Sequence, residues 1–157
     1  MGLSGRVARG ALPILLPIVE FALAVAVPWE DYVKAVCWSR SPPACSFEFS
    51  PSPVFFLAVA LPFVVLAVFS LWRNRGKTAI LSGSAGVAIL IGTALLATHK
   101  GIALPAVLLL TPLLQWAGER VLKIRVNGTD KAFWAVSAVL GFLAVWVVAR
   151  MGLAVSV

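Results

Sequence analysis

Charged residues are scarce in this chain of 157 residues: they make up 12% of it, whereas 61% of the residues are hydrophobic. A soluble domain carries roughly a quarter charged residues. This shortage excludes an ordinary soluble protein. The net charge of +7 does not indicate nucleic-acid binding either, because the cations flank apolar runs instead of forming one basic region. The chain is therefore expected to be embedded in a lipid bilayer.

Metal-ligating side chains are also few. The chain has one histidine, His99, and two cysteines, Cys37 and Cys45. A lone histidine cannot build a metal site, since a structural zinc takes four Cys or His ligands. The sequence therefore predicts no metal centre.

Side-chain amides are the third shortage, with only Asn74, Gln115 and Asn127 present. Few thermolabile residues are typical of proteins from thermophiles. A GC-rich genome produces the same bias through Ala, Val, Gly and Arg, and the sequence does not separate the two explanations.

What the chain has in place of these residues is long apolar runs. A transmembrane helix needs about 17–25 such residues, and five runs qualify or nearly qualify, the fourth being the shortest. The sequence predicts an all-α, multi-pass membrane protein that forms one helical bundle over residues 1–157, with a fifth helix at about 132–150. The first run lacks a small-residue cleavage site at Pro28 and is predicted to be a retained helix, not a signal peptide. The predicted spans are 11–28, 54–72, 78–98, 102–117 and 132–149.

The distribution of Lys and Arg predicts the orientation of these spans. Cytoplasmic loops carry an excess of Lys and Arg, and five spans place nine cations on one side and four on the other. The nine-cation side, with the N-terminus, is predicted to be cytoplasmic. The nine are Arg6, Arg9, Arg73, Arg75, Lys77, Arg120, Lys123, Arg125 and Lys131; the four are Lys34, Arg40, Lys100 and Arg150.

The cysteines lie in the longest polar interruption, an aromatic-rich outer loop at about 29–53. Cys37 and Cys45 are eight residues apart, and on the predicted orientation they face a compartment in which disulfides persist. A disulfide is expected in preference to two free thiols. The loop is expected to be flexible, and Ser50 or Ser52 is a candidate cap for the second helix.

Glu20 lies near the middle of the first span, where a charge costs at least about 2.5 kcal/mol. It is expected to face the interior, to be protonated, or to line a polar cavity. A functional interpretation is a proton or ligand contact. Two plainer interpretations are a neutral carboxyl hydrogen-bonded to a freed carbonyl and a helix that begins later than drawn.

The order of these features resembles the vitamin K epoxide reductase (VKOR) family, in its bacterial and archaeal members. In that family two loop cysteines about eight apart follow a tyrosine and precede an aromatic residue and a serine. Here Tyr32, Cys37, Cys45 and Phe49 occupy those positions, with Ser50 or Ser52 as the serine. The resemblance covers nearly the whole chain in topology, although the matching residues cluster in 32–52.

The resemblance implies a membrane oxidoreductase that couples disulfide formation in extracytoplasmic proteins to quinone reduction. It implies a thioredoxin-like extracytoplasmic partner and a quinone of the ubiquinone or menaquinone type. The loop pair shuttles electrons to a CxxC at the start of the fourth span. Here that stretch is Ala103-Leu104-Pro105-Ala106, so both catalytic cysteines of the CxxC are replaced, and a family tyrosine further along is Leu110. The chain is therefore predicted to be inactive as written. A mouth formed by Phe49, Phe55, Ala103 and Ala106 is the predicted quinone contact.

Two other functions stay open at this point. The chain can be a small accessory subunit of a membrane complex in which Cys37–Cys45 is a structural disulfide. It can also be a small transporter built around Glu20, an interpretation weakened by the lack of a second intramembrane charge or an inverted repeat.

Overall fold

The computed structural model describes residues 3–39 and 41–155. Arg40 and the side chains of Arg6 and Arg9, which enter the predicted charge balance, lie outside the described part. The described chain forms five α-helices and one β-hairpin. They are α1 (Leu3–Ala26), β1 (Val33–Trp38), β2 (Ala44–Phe49), α2 (Pro53–Trp72), α3 (Gly76–Thr98), α4 (Ala103–Leu122) and α5 (Gly128–Val155).

Four of these helical segments are long and apolar enough to cross a bilayer, namely α2, α3, Lys100–Leu122 and α5. This finding supports the predictions that the chain is a membrane protein and that its fold class is all-α. The apolar part of α1, Gly10–Ala26, is shorter. The last two helices extend past their predicted ends, because hydropathy marks only the apolar part of a helix and not the polar turns that continue it.

The helix α3 lies at the centre and packs against α2, α4 and α5. Its small residues make this possible: Ser82 and Gly86, and Ala88 and Gly92, are each four residues apart, a spacing that predicts close contact between helices. A methyl group at Gly86 would overlap the side chain of Phe63 in α2. One at Gly92 would overlap Val107 of α4 and Phe142 of α5. Small residues let helix backbones approach closely, so this stripe serves packing.

The outer loop, which was predicted to be flexible, is an antiparallel hairpin of β1 and β2; this corrects the prediction for the loop and leaves the all-α class of the bundle unchanged. Its base is pinned by two further backbone bonds, in which Ser50 N–H donates to Tyr32 O and Ser52 N–H donates to Asp31 O, each at 2.8 Å. Ser52 then caps α2 by accepting a hydrogen bond from Phe55 N–H at 3.3 Å. Only this last contact was predicted. Residues 45–50 alternate apolar and polar side chains, which is a strand signal that the prediction missed, whereas residues 33–38 show no such alternation.

Candidate functional site: the hairpin disulfide and the bundle end beneath it

The two cysteines lie directly opposite each other on the two strands of the hairpin. Cys37 of β1 pairs with Cys45 of β2, their Cα atoms are 4.1 Å apart, and the sulfurs form a disulfide. Side chains of directly opposed residues in an antiparallel pair point to the same face, so the strand register itself brings the sulfurs together. The predicted disulfide is confirmed, and both residues are exposed.

The base of the hairpin is held by an aromatic cluster of Tyr32, Phe49 and Phe55, all at most 5% exposed. The rings of Phe49 and Phe55 meet edge to face with centroids 5.6 Å apart, and Tyr32 lies 4.8 Å from Phe55. Burial raises the pKa of the Tyr32 phenol above its ordinary value, because the charged phenolate loses hydration there. The structure thus brings the predicted contacts Phe49 and Phe55 together.

The disulfide is separated from this cluster along the hairpin. Phe49 pairs with Val33 at the base, and Cys45 lies four residues before Phe49 on the same strand. At about 3.3 Å per residue, this places the disulfide roughly 13 Å from the base. The cysteines therefore stand at the outer end of the hairpin and the aromatic residues at the bundle.

The two alanines of the missing CxxC lie where the fourth helix begins. Ala103 is the first residue of α4, directly after a 3₁₀ turn at Lys100–Ile102, and it is buried. Ala106 follows one turn later and is half-buried. Residues three apart share one helix face, so both methyl groups lie on the same side of α4. Neither methyl group can exchange electrons with a disulfide.

A cavity of about 350 Å³ lies at this end of the bundle, among α3, α4, α5 and the hairpin base. Of the four predicted quinone contacts, Phe49 lines it, and the other three are not among its described lining residues. The sequence did not indicate most of the residues that line this cavity, although it places Lys100 and Arg150 at the outer ends of predicted spans. The lining residues are Phe49, Leu96, Lys100, Leu104, Phe142, Leu143, Trp146, Ala149, Arg150 and Leu153.

Glu20 is completely buried inside the bundle, as one of its predicted alternatives requires. Neither carboxyl oxygen has a hydrogen-bond partner among the described residues, so the predicted bond to a freed carbonyl is not formed. The helix α1 runs from Leu3 to Ala26, so the idea that the helix begins after Glu20 is wrong. On α5, the hydroxyl of Ser137 is likewise buried and unpartnered.

Comparisons with protein-family models, curated proteins and solved structures found no match. Within residues 3–39 and 41–155, no group of three or more His, Cys, Asp or Glu side chains is placed to hold a metal ion. The function is therefore argued from the chain's own residues, chiefly the hairpin disulfide.

Proposed function

We propose that this protein is a membrane thiol–disulfide oxidoreductase of the VKOR type whose onward path to quinone is interrupted. The observation that carries the proposal is the exposure of the Cys37–Cys45 disulfide at the outer end of a hairpin. Thiol–disulfide exchange requires a thiolate to reach a disulfide sulfur, and an exposed cross-strand pair offers that access.

The proposed exchange is balanced between the hairpin and a thioredoxin-like extracytoplasmic partner. A thiolate of the partner attacks one sulfur of Cys37–Cys45 and forms a mixed disulfide, and the second partner thiol resolves it. The partner gains a disulfide, and the hairpin retains two thiols. Trp38, half exposed beside Cys37, supplies apolar surface for the partner.

The proposed second step fails in this chain. Two electrons and two protons from Cys37 and Cys45 would have to pass through a dithiol at the start of α4 to a ubiquinone or menaquinone. Ala103 and Ala106 occupy those two positions and carry no sulfur. The reduced hairpin is therefore not reoxidised by quinone, and the protein is inactive as a quinone-linked oxidase.

The proposed location is the cell membrane, with α1 as a further span and the hairpin on the extracytoplasmic side. The excess of cations around the N-terminus and the α2–α3 and α4–α5 connections supports this orientation. The hairpin then faces the compartment in which its disulfide persists and in which the protein partner is found.

Restoring the dithiol tests the proposal. The double variant Ala103→Cys with Ala106→Cys is expected to oxidise a reduced thioredoxin-like protein repeatedly, with concurrent reduction of an added quinone. The unmodified chain is expected to oxidise no more than one equivalent of that protein and to reduce no quinone. Ala103→Ser with Ala106→Ser is the matched control, because serine has nearly the size of cysteine without its redox chemistry. Adding Cys37→Ser to the dithiol variant should remove the activity. If the dithiol variant folds and reduces no quinone, the proposed function is wrong.

A second function, a non-enzymatic accessory subunit with a structural disulfide, is favoured by a different observation. The hairpin is anchored at its base by the aromatic cluster and by backbone bonds, which suits a fixed element better than a moving shuttle. The reduction potential separates the two functions. A structural bond is expected below about −300 mV, and an exchanging pair is expected to be considerably more oxidising.

A further inference from the structure

The cavity beneath the hairpin combines two features that the redox proposal does not use. Two of its lining residues, Lys100 and Arg150, are basic, and the other eight are apolar. From this pairing we propose that the interhelical groove formed by the lining residues binds an anionic phospholipid. The headgroup phosphate would lie at Lys100 and Arg150, and part of one acyl chain would lie along Leu104, Leu143 and Trp146.

The two cations come from separate parts of the chain, and neither has an acidic partner among the described residues. Lys100 lies in the turn between α3 and α4, and Arg150 lies near the end of α5. The only ion pair among the described residues joins Lys131 to Glu119, at the other end of α4. Two cations that line one cavity repel each other, so an anion placed between them is stabilised by both.

The Arg150 guanidinium is held in position by the groove wall itself. It lies over the ring of Trp146, 5.3 Å from the ring centroid, a distance typical of a cation–π contact. A cation–π contact forms no hydrogen bond, so it does not use up the N–H edge of the guanidinium. That edge is the part that binds phosphate oxygens in a bidentate manner.

The apolar part of the groove is open to the surroundings along its rim. Leu104, Leu143 and Trp146 are each about two-fifths exposed, at 38%, 40% and 41%, while Phe142 and Leu96 form the buried floor. In a membrane, such a rim faces acyl chains. A volume of about 350 Å³ is near the lower end of ligand pockets, about 300–1,000 Å³, and suits a segment of one chain with its phosphate better than a whole lipid.

The charge of the groove distinguishes this ligand from a quinone. A quinone is neutral and gains little electrostatic stabilisation from two cations. A phosphate with an attached acyl chain fits both the cations and the apolar lining of the groove. Basic pockets between transmembrane helices bind acidic lipid headgroups on the cytoplasmic and matrix sides of membranes, and this groove combines cations with an interhelical cleft in the same way. This inference does not depend on the redox proposal, since no cysteine takes part in it.

Quenching of tryptophan fluorescence by lipids with brominated acyl chains tests the proposal. Brominated phosphatidylglycerol and brominated phosphatidylcholine are titrated separately into the purified full chain in detergent. The fluorescence of Trp146 is obtained by subtracting the fluorescence of the Trp146→Phe variant from that of the unmodified chain. Phosphatidylglycerol is expected to quench this signal at an at least five-fold lower mole fraction. Lys100→Gln with Arg150→Gln should bring the two lipids within two-fold of each other. The matched control Arg73→Gln with Arg75→Gln, which removes two cations near the α2–α3 connection, should keep the preference.

Three outcomes would overturn the proposal. The first is equal quenching by the two lipids, and the second is a preference for phosphatidylglycerol that persists in the Lys100→Gln with Arg150→Gln variant. The third is that a neutral quinone displaces brominated lipid equally well from the unmodified chain and from that variant. The last result would assign the groove to a neutral ligand. Circular dichroism checks that each variant keeps its helices. If the double variant loses them, the charge-preserving pair Lys100→Arg with Arg150→Lys should retain the preference, and the single Arg150→Gln variant should weaken it.

Discussion

The carboxyl group of Glu20 in α1 lies directly against the backbone of Gly141 in α5. A methyl group at position 141 would overlap Oε2 of Glu20 and also Cδ1 of Ile89 in α3. The absence of a side chain at Gly141 therefore makes room for a buried acid where three helices meet. Neither oxygen of that acid has a hydrogen-bond partner among the described residues, and the first two predictions below concern this contact.

Replacing Glu20 by methionine should stabilise the protein. An unpartnered buried polar group costs about 1–3 kcal/mol, and an apolar group of similar shape avoids that cost. Glu20→Met is therefore expected to raise the free energy of unfolding by about that amount, measured by reversible denaturation in detergent. Glu48→Met, at an exposed position of β2, is the control and should change little. A clear loss of stability in Glu20→Met would mean that the carboxyl makes a favourable interaction.

Gly141→Ala should destabilise the bundle through the same contact. Forcing a methyl group into a packed position typically costs about 1–3 kcal/mol. The cost should shrink when Glu20→Ala is present, since the carboxyl that overlaps the methyl group is then gone, and a double-mutant cycle measures this coupling. Gly10→Ala, with no atom near its added methyl group, should be neutral or slightly stabilising. Strict additivity of Gly141→Ala and Glu20→Ala would contradict the contact.

Gly152→Ala should loosen the hairpin without unfolding the helices. A methyl group at Gly152 of α5 would overlap the ring of Tyr32, the residue that begins the hairpin base. Hydrogen exchange in Val33–Phe49 is expected to accelerate about ten-fold or more, corresponding to roughly 1.4 kcal/mol. Gly101→Ala, whose methyl group would meet nothing, should leave exchange unchanged. Equal acceleration throughout α2 to α5 would show that the effect is global.

Removing the disulfide should have a local effect. Closing so short a loop is worth about 2–3 kcal/mol in the chain-entropy model. Cys37→Ser with Cys45→Ser is expected to increase hydrogen exchange at the outer end of the hairpin, while Tyr32 and Phe49 at the base stay protected by the aromatic cluster. Chemical reduction of the unmodified chain should reproduce the pattern. Loss of protection at the base as well would show that the disulfide, and not the cluster, holds the hairpin to the bundle.

Glu119 should hold the connection between α4 and α5 in place. Its carboxylate accepts hydrogen bonds from Val126 N–H and from Lys131 Nζ, both at 2.7 Å. Glu119→Ala removes both and is expected to lower the free energy of unfolding, measured by denaturation in detergent, because Val126 N–H loses its acceptor. Glu119→Gln keeps an acceptor for Val126 and should lower it less. Asp130→Ala, at an exposed position, is the control. Equal effects of Ala and Gln at Glu119 would show that the bond from Val126 contributes nothing.

The helices could be predicted from the sequence because a long run of apolar residues is stable only where it is buried in lipid or in the core of a bundle. The small residues of α3 were predicted to serve packing for the same local reason, and Gly86 and Gly92 do so. The alternation of apolar and polar residues at 45–50 could have indicated β2, but residues 33–38 do not alternate, so β1 and its pairing with β2 could not be predicted from the sequence. Their register depends on which residues the base of the hairpin buries.

The sequence by itself determined a membrane protein of apolar helices, an acid placed within one of them, and a cysteine pair in the main polar interruption. Only the tertiary structure decided that Cys37 faces Cys45 across two strands, that Phe49 meets Phe55, and that Glu20 lies against Gly141. It also brought Lys100 and Arg150, fifty residues apart, to one groove. The physical reason is that hydropathy depends only on residues that are neighbours along the chain. A site depends on which faces of different helices lie against each other, and the packing of small and large side chains decides those faces.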